Sequence, residues 1–120
     1  MVQARPIFGY WNMRIVDRGN VNRNLLTYAQ VDFEDKRYGT PGNDWAADKN
    51  NLGMDYPNLP HIIDGDFKIT ESAAVTMYIA DRWAPALMGT NAQERSRVIQ
   101  LHNVCKDALM AVLPMCMKGD

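Results

Sequence analysis

The stretch that best predicts the fold is Asn58-Leu59-Pro60-His61-Ile62-Ile63-Asp64-Gly65-Asp66-Phe67-Lys68-Ile69-Thr70-Glu71-Ser72. Its Asp64-Gly65 pair stands between two short apolar runs. This dipeptide favours the tight turn of a β-hairpin. We therefore predict paired strands over residues 61–64 and 67–69.

A helix is predicted directly after the hairpin. Thr70 can cap its N-terminus. Apolar residues recur at helical spacing from Glu71 to about Trp83. Because proline cannot continue a helix, Pro85 marks its end.

The residues before the hairpin predict a β-α-β unit. An apolar strand is predicted over residues 7–11, an amphipathic helix over about 20–30 and a second strand over 33–38. Glycine and proline then mark a loop over 39–43. Asp44 is a candidate N-cap for a short helix through Lys49.

A long second helix is predicted near the end of the chain. Thr90 and Gln93 have the spacing of a capping box. An apolar stripe follows at helical spacing, formed by Val98, Leu101, Cys105, Ala108 and Val112. Residues 108–113 are all apolar, so we expect the segment 108–117 to be covered by something outside this chain, either a symmetric partner, a further segment of the same protein or another subunit. Pro114 is expected to interrupt or kink this helix.

The order of these elements predicts an α/β fold with a thioredoxin-like βαβ–ββα domain, followed by the start of an all-α domain. We assign the first domain to residues 1–83, a linker to 84–90 and the first helix of the second domain to 91–120. Thioredoxins use a Cys-x-x-Cys motif after the first strand. No cysteine precedes Cys105 here, which argues against dithiol redox chemistry.

Composition excludes several classes of function. The 120 residues include 13 basic and 14 acidic side chains, and the net charge of −1 gives no general attraction for nucleic acid. No apolar run approaches the roughly 18 residues of a membrane span. Cys105 and Cys116 lie too far apart on one helix to form a disulfide, and they lack partners at zinc spacing. We therefore expect free thiols, no metal and a cytoplasmic location.

Several motifs together resemble a glutathione S-transferase of the mu class. They are Gly9-Tyr10-Trp11, Trp45 with Lys49, the segment from Leu52 to Pro60, Ile63-Asp64-Gly65, Lys68-Ile69-Thr70, Glu71-Ser72 and Tyr78-Ile79-Ala80. The resemblance extends from residue 6 to about 113. It implies that glutathione is the ligand or substrate and that no metal is needed.

The resemblance implies a catalytic role for Tyr10. Glutathione has a thiol whose pKa lies above neutral pH, and a hydroxyl that donates a hydrogen bond to sulfur favours the reactive thiolate. Tyr10 would supply that hydroxyl, and Trp11 beside it would contact glutathione. A simpler alternative is that Tyr10 is a core residue at the end of a strand.

The glycyl end of glutathione is assigned to Trp45 and Lys49. These residues are four apart, so they share one face of a helix. Lys49 would pair with the glycyl carboxylate, while Trp45 would donate its indole N–H. The alternative is an exposed lysine next to a tryptophan that packs a loop.

The cysteinyl and γ-glutamyl parts are assigned to two further motifs. Pro60 would follow a cis peptide that turns the Leu59 backbone towards glutathione, with Asn58 as a neighbouring contact. The backbone at Ser72 would hold the γ-glutamyl carboxylate at a helix N-terminus, and Glu71 would hold the ammonium group. The alternatives are that Pro60 follows a trans peptide, that Asn58 caps a turn, and that Glu71 and Ser72 form an ordinary acidic first turn of a helix.

Some family positions match less directly. Asp107 matches a residue that reaches across a dimer to the γ-glutamyl group, although it can also be a solvated acid. The family's arginine in the first loop corresponds to either Arg14 or Arg18, and the sequence does not decide between them. The chain has only the first helix of the family's helical domain, from which we expect weak turnover.

The first functional interpretation is a transferase that conjugates reduced glutathione to electrophiles through a thiolate stabilised by Tyr10. The alternative is a transferase-derived, weakly active or non-catalytic glutathione-binding subunit of a larger assembly. A thioredoxin-like adaptor without a ligand is a third possibility. The expected partners are glutathione and either a second copy of the chain or another protein, without nucleic acid or a membrane span.

Overall fold

The structure is a computed structural model that describes residues 3–13 and 18–118. Its elements, in chain order, are β1 (Ile7–Trp11), α1 (Arg18–Tyr28), β2 (Glu34–Tyr38), α2 (Trp45–Asp48), β3 (His61–Asp64), β4 (Phe67–Thr70), α3 (Ser72–Trp83), a 3-10 helix (Pro85–Met88) and α4 (Ala92–Met117). The predicted order of strands and helices is confirmed. The linker predicted between α3 and α4 contains the 3-10 helix, whose Met88 is buried.

The four strands form one mixed sheet in the order β2-β1-β3-β4. β1 is parallel to β2 and antiparallel to β3, which is antiparallel to β4. The hairpin predicted from Asp64-Gly65 joins β3 to β4, with its turn at Gly65 and Asp66 because Asp64 still pairs with Phe67. Gly65 has a positive φ of 60°, which such a turn requires. This arrangement confirms the thioredoxin-like α/β fold.

The two faces of the sheet carry different residues. Phe8 lies opposite Ile62, and residues directly opposite each other share a face. On this face the two side chains join a fully buried core with Leu26 of α1 and Val75 of α3. Because side chains alternate along a strand, the neighbouring residues of β1 point to the other face, which lies next to α2.

The N-terminus of α3 differs from the prediction. Thr70 does not cap the helix, because it ends β4 and its hydroxyl donates to the carbonyl of Tyr56 at 2.7 Å. The N-cap position is occupied by Glu71, which has a φ of +74°. Thr70 pairs with His61 in the hairpin, so pairing within the sheet takes precedence over its capping preference.

The N-terminus of α4 lies one residue later than predicted. Asn91 is the N-cap, and its side chain accepts a hydrogen bond from the Glu94 backbone N–H at 2.9 Å. The Glu94 carboxylate reaches back to the N–H and the hydroxyl of Thr90. The predicted Thr90–Gln93 box was therefore wrong, because a carboxylate at 94 satisfies both donors of Thr90.

The helix α4 continues through Pro114 to Met117, so Pro114 does not interrupt it, and a kink at Pro114 stays a prediction. None of its described residues is buried. In the predicted stripe, Leu101 and Val112 are 62% and 51% exposed. The face of α4 that looks towards α1 and α3 carries Val98, Leu101 and Cys105 of this stripe, together with His102 and Leu109.

Candidate functional site

One edge of the sheet collects almost all of the predicted site residues. β1 and β2 are parallel, and β4 runs in the same direction because it is two antiparallel steps away from β1. The carboxyl ends of these strands, at Trp11, Tyr38 and Thr70, therefore lie at the same edge. β3 begins at this edge with His61, directly after Pro60. In open α/β sheets, ligands bind outside the carboxyl ends of the strands.

Tyr10 and Trp11 end β1 but occupy different surroundings. Tyr10 is 8% exposed and belongs to the buried core. Trp11 is 42% exposed, and by strand alternation it lies on the opposite face. Its carbonyl accepts a hydrogen bond from Nη2 of Arg23 at 3.4 Å. At this edge of the sheet, the side chain of Tyr10 therefore lies on one face and that of Trp11 on the other.

Asn58, Leu59 and Pro60 form a tight loop at this edge. The Leu59–Pro60 peptide bond is cis, as the resemblance predicted. The side-chain oxygen of Asn58 accepts from the Leu59 N–H at 2.9 Å, while its amide nitrogen donates to Oε1 of Glu71 at 3.1 Å. Asn58 therefore ties the cis-proline loop to the start of α3.

Glu71 has an unusual backbone conformation. A φ of +74° is rare for a residue with a side chain, and such conformations persist where the surrounding structure imposes them. Its carboxylate accepts from Asn58 instead of capping the helix. Ser72 is the first residue of α3. The backbone N–H groups at this helix N-terminus carry a partial positive charge that suits an anion.

Trp11, Trp45 and Lys49 are brought together in one cleft. Its volume is about 570 Å³, and its other lining residues come from the loop between β2 and α2 and from Ala46 of α2. The prediction that Asp44 caps α2 is confirmed, because its carboxylate accepts from the Ala46 N–H at 2.9 Å. Lys49 ends the helix and is exposed. The cleft therefore combines indole rings with a cationic side chain.

A polar cluster lies beneath Trp45 and was missed by the sequence analysis. We call it the buried cluster because Tyr38 and His61 at its centre are fully buried, while the side chains of Lys36 and Asp48 are partly exposed. The hydroxyl of Tyr38 donates to Oδ2 of Asp48 at 2.8 Å, and Nζ of Lys36 contacts the same oxygen at 2.6 Å. Nε2 of His61 lies 3.3 Å from the Tyr38 hydroxyl. The one sequence feature that pointed to it is Gly9, because glycine inside a buried strand often marks a close approach.

Burial and charge set the protonation states in this cluster. Burial lowers the pKa of His61 to about 4, with Lys36 adding to the effect, so the imidazole is neutral at pH 7. The Lys36 ammonium, followed by the Tyr38 hydroxyl, lowers the pKa of Asp48. Burial and the neighbouring Asp48 raise the pKa of Tyr38. Tyr38 is therefore a hydrogen-bond donor to a carboxylate.

Some predicted residues lie away from this edge. Asp107 is exposed on α4, so its role across a dimer stays a prediction. Arg18 begins α1, and its Nη2 donates to Sδ of Met110 at 3.0 Å, which links α1 to α4. Arg14, the other candidate for the family's arginine, lies outside the described residues.

A second cleft, of about 490 Å³, separates α4 from α1 and α3. Its walls are mainly apolar, and Ser72 and Thr76 line one side. Ser72, the first residue of α3, therefore also lines this cleft. Cys105, on the α4 side, is an exposed free thiol, as is Cys116.

The described ranges contain neither a metal-binding cluster nor a membrane-spanning helix. Within residues 3–13 and 18–118, no group of three or more His, Cys, Asp or Glu side chains is arranged to hold a metal ion. Over the same ranges, no helix has both the length and the apolar character needed to cross a bilayer.

Sequence comparisons relate the chain to known transferases. The family described as glutathione S-transferase, N-terminal domain, matches residues 6–81. The chain is 39% identical to a glutathione S-transferase of Dermatophagoides pteronyssinus, over 94% of this chain and 52% of that protein. It is 37% identical to glutathione S-transferase Mu 3 of Mus musculus, over 93% of this chain and 52% of that protein. The chain thus spans about half the length of these relatives.

Solved structures show the same relationship. The structure of a nematode-specific transferase of C. elegans superposes with a TM-score of 0.73 at 26% identity, covering 97% of this chain and 56% of that one. The glutathione S-transferase of Ascaris lumbricoides gives a TM-score of 0.73 at 26% identity, covering 98% of this chain and 56% of that one.

Proposed function

Because the chain belongs to the glutathione S-transferase family and is similar to members of the mu class, we propose that it binds reduced glutathione and activates its thiol for transfer to electrophiles. The observation that carries this proposal is the convergence of the predicted contacts at the carboxyl edge of the sheet. The proposed site combines a tyrosine, a cis-proline loop, a helix N-terminus and a lysine-containing cleft.

In this proposal each part of the tripeptide has its own partner. Lys49 pairs with the glycyl carboxylate, and Trp45 donates its indole N–H to the same group. The backbone of Leu59 pairs with the cysteinyl unit, as in a short antiparallel strand. The N-terminus of α3 at Ser72 holds the γ-glutamyl carboxylate, while Glu71 holds the ammonium group.

Tyr10 is the proposed catalytic residue. Its hydroxyl donates a hydrogen bond to the sulfur of glutathione, which lowers the pKa of the thiol and increases the fraction of thiolate. The thiolate attacks an electrophilic carbon, a carbon–sulfur bond forms, and the leaving group departs with the electron pair of the bond that breaks. The thiol proton is released to solvent.

The biological setting is also part of the proposal. We propose a cytoplasmic role in detoxification, with glutathione as a substrate and without a resident metal. Family members act as dimers, and in a dimer the partner's Asp107 would reach the γ-glutamyl group.

A coupled measurement of binding and turnover tests this function. Isothermal titration calorimetry should detect glutathione binding at micromolar to millimolar concentrations. Conjugation to a dinitro-substituted aryl chloride should produce the absorbance of the thioether faster than the uncatalysed control. Binding without turnover would favour the alternative of a non-catalytic, glutathione-binding subunit. No binding would favour an adaptor without a ligand.

A further inference from the structure

The helix α2 is too short to hold its position alone. It has four residues, none of them buried, and isolated helices of this length are not stable in water. Yet α2 carries Trp45 at its start and is followed directly by Lys49. Any precise placement of these two side chains must therefore come from contacts between α2 and the sheet.

Tyr38 provides contacts at both ends of α2. Its ring meets the ring of Trp45 edge-on, with 5.2 Å between centroids. Its hydroxyl donates to the Asp48 carboxylate at 2.8 Å. Tyr38 is fully buried at the end of β2. One rigid core side chain thus fixes both the position and the rotation of the helix.

Lys36 and His61 add further contacts to the group of residues that holds α2 against the sheet. Nζ of Lys36 lies 2.6 Å from the Oδ2 atom of Asp48 that Tyr38 also contacts, and 5.3 Å from the centre of the Tyr38 ring. Since the single hydroxyl proton of Tyr38 is donated to Asp48, Nε2 of the neutral His61 donates to the hydroxyl oxygen. The order of donation is His61, Tyr38, Asp48.

We propose that Asp48, held by Tyr38, is the positioning residue that keeps Trp45 and Lys49 directed at the glycyl carboxylate of glutathione. This inference rests on the proposed glutathione site. Asp48 itself does not touch the ligand. It acts by fixing the helix whose two flanking side chains bind one carboxylate, so its effect is specific to the glycyl end of the tripeptide.

Two ligands separate this role from a general structural one. Glutathione has the glycyl carboxylate, whereas γ-glutamylcysteine lacks the whole glycine unit. We would measure the affinity of both by calorimetry for the wild-type protein, for Tyr38→Phe and for Asp48→Asn. Tyr38→Phe retains the ring against Trp45 and removes only the hydroxyl.

We expect glutathione to bind about five- to tenfold more weakly to each variant, a loss in the range of one ordinary hydrogen bond, because Asp48 acts on the ligand only through Trp45 and Lys49. The affinity for γ-glutamylcysteine should change by less than about twofold. Asp66→Asn, which makes the same charge change on the exposed β3–β4 turn, should leave both affinities unchanged. Thermal melting of each variant confirms that it remains folded.

Equal losses for both ligands would overturn the inference, because Asp48 would then support the site as a whole. Unchanged glutathione affinity in both variants would also overturn it. Either result leaves the proposed function standing, provided that the wild-type protein binds glutathione. If the wild-type protein binds neither ligand, the proposed function fails and this inference fails with it.

Discussion

Gly9 lies directly opposite His61 in the ladder between β1 and β3, and the imidazole ring fills the space that a side chain at position 9 would need. A Cβ atom placed on Gly9 would overlap Nε2 and Cε1 of that ring. Gly9 does not adopt a left-handed backbone conformation. Glycine is therefore needed here because it has no side chain, which leaves room for the His61 ring. The buried cluster beneath Trp45 therefore depends on a residue next to Tyr10.

Replacing Gly9 by alanine should destabilise the protein. The new methyl group must displace the His61 ring, which is fully buried, and such overpacking costs about 1–3 kcal/mol. We expect this loss in the free energy of unfolding measured by urea denaturation. In a His61→Ala background, the same change at Gly9 should cost much less. Equal losses in the two backgrounds would show that the ring is not the obstacle.

The stability of the protein should fall between pH 6.5 and pH 4 because of His61. Its pKa is 6.5 when exposed and about 4 in the fold, so the unfolded state binds more protons in this window. The contribution of the neutral ring is complete above pH 6.5 and is lost as the pH falls to 4. The difference between the two pKa values corresponds to a loss of about 3 kcal/mol in the free energy of unfolding.

The measurement is the free energy of unfolding of the wild-type protein and of His61→Phe at several pH values. The phenylalanine variant should have a much flatter profile over this window. His102→Gln is the matched comparison: burial also lowers the pKa of His102, but that residue is only partly buried, so its removal should flatten the profile less than His61→Phe does. A profile for His61→Phe as steep as that of the wild type would contradict the assignment.

Tyr10→Phe should raise the pKa of the glutathione thiol in the complex. The change removes the hydroxyl that is proposed to donate to sulfur and retains the ring in the core. Titration of the thiolate absorbance of bound glutathione measures this pKa directly. Tyr28→Phe, at an exposed tyrosine on α1, should have no effect. If bound glutathione has the pKa of the free tripeptide in both the wild type and Tyr10→Phe, the role given to Tyr10 is wrong.

Local patterns predicted the elements of the fold, because each depends on a few neighbouring residues. The hairpin predicted from Asp64-Gly65 and the Asp44 cap are examples, and both are found, the turn itself being formed by Gly65 and Asp66. The two helix caps that were misplaced depend on which of several hydrogen-bonding partners a residue takes, and a local pattern does not decide that. Thr70 pairs within the sheet, and Glu94 provides a better partner for Thr90 than Gln93 does.

The buried cluster was not predictable from local patterns. Lys36, Tyr38, Asp48 and His61 come from three elements, and only the parallel and antiparallel pairing of the sheet brings those elements together. The contact residues of the candidate site were assigned through the family resemblance. The positive φ of Glu71 had no sequence signal, since glutamate rarely adopts that conformation.

Glu71→Gly should move stability and binding in opposite directions. Glycine adopts a φ of +74° without the steric cost that a side chain incurs, a cost of about 1–3 kcal/mol. This gain exceeds the contribution of the exposed hydrogen bond from Asn58 that the change also removes. The same change removes the carboxylate proposed to hold the ammonium group of glutathione, so affinity should fall. Gln30→Gly is the control, because Gln30 also has a positive φ, of 56°, and follows α1, outside the candidate site. It should stabilise the protein and leave glutathione affinity unchanged, and an unchanged affinity in Glu71→Gly would remove that residue from the site.

The exposed apolar surface of α4 should make the protein associate in solution. Val112, Met115 and Met117 are 51%, 72% and 65% exposed. Burying this apolar surface in an interface would be favourable by about 25 cal/mol per Å². The radius of gyration, 15.1 Å, exceeds the roughly 13.6 Å of a compact chain of this length, in keeping with a projecting helix.

We therefore expect light scattering to detect dimers or larger species at micromolar concentrations of the protein. Changing Val112 and Met115 together to lysine should increase the fraction of monomer without unfolding the domain, since neither side chain is buried. Gln93→Lys, at an exposed polar position on the same helix, adds charge outside the apolar surface and should not change association. A wild-type protein that is monomeric at these concentrations, with residues 108–117 protected from hydrogen exchange, would mean that this segment folds against its own domain and needs no partner to cover it.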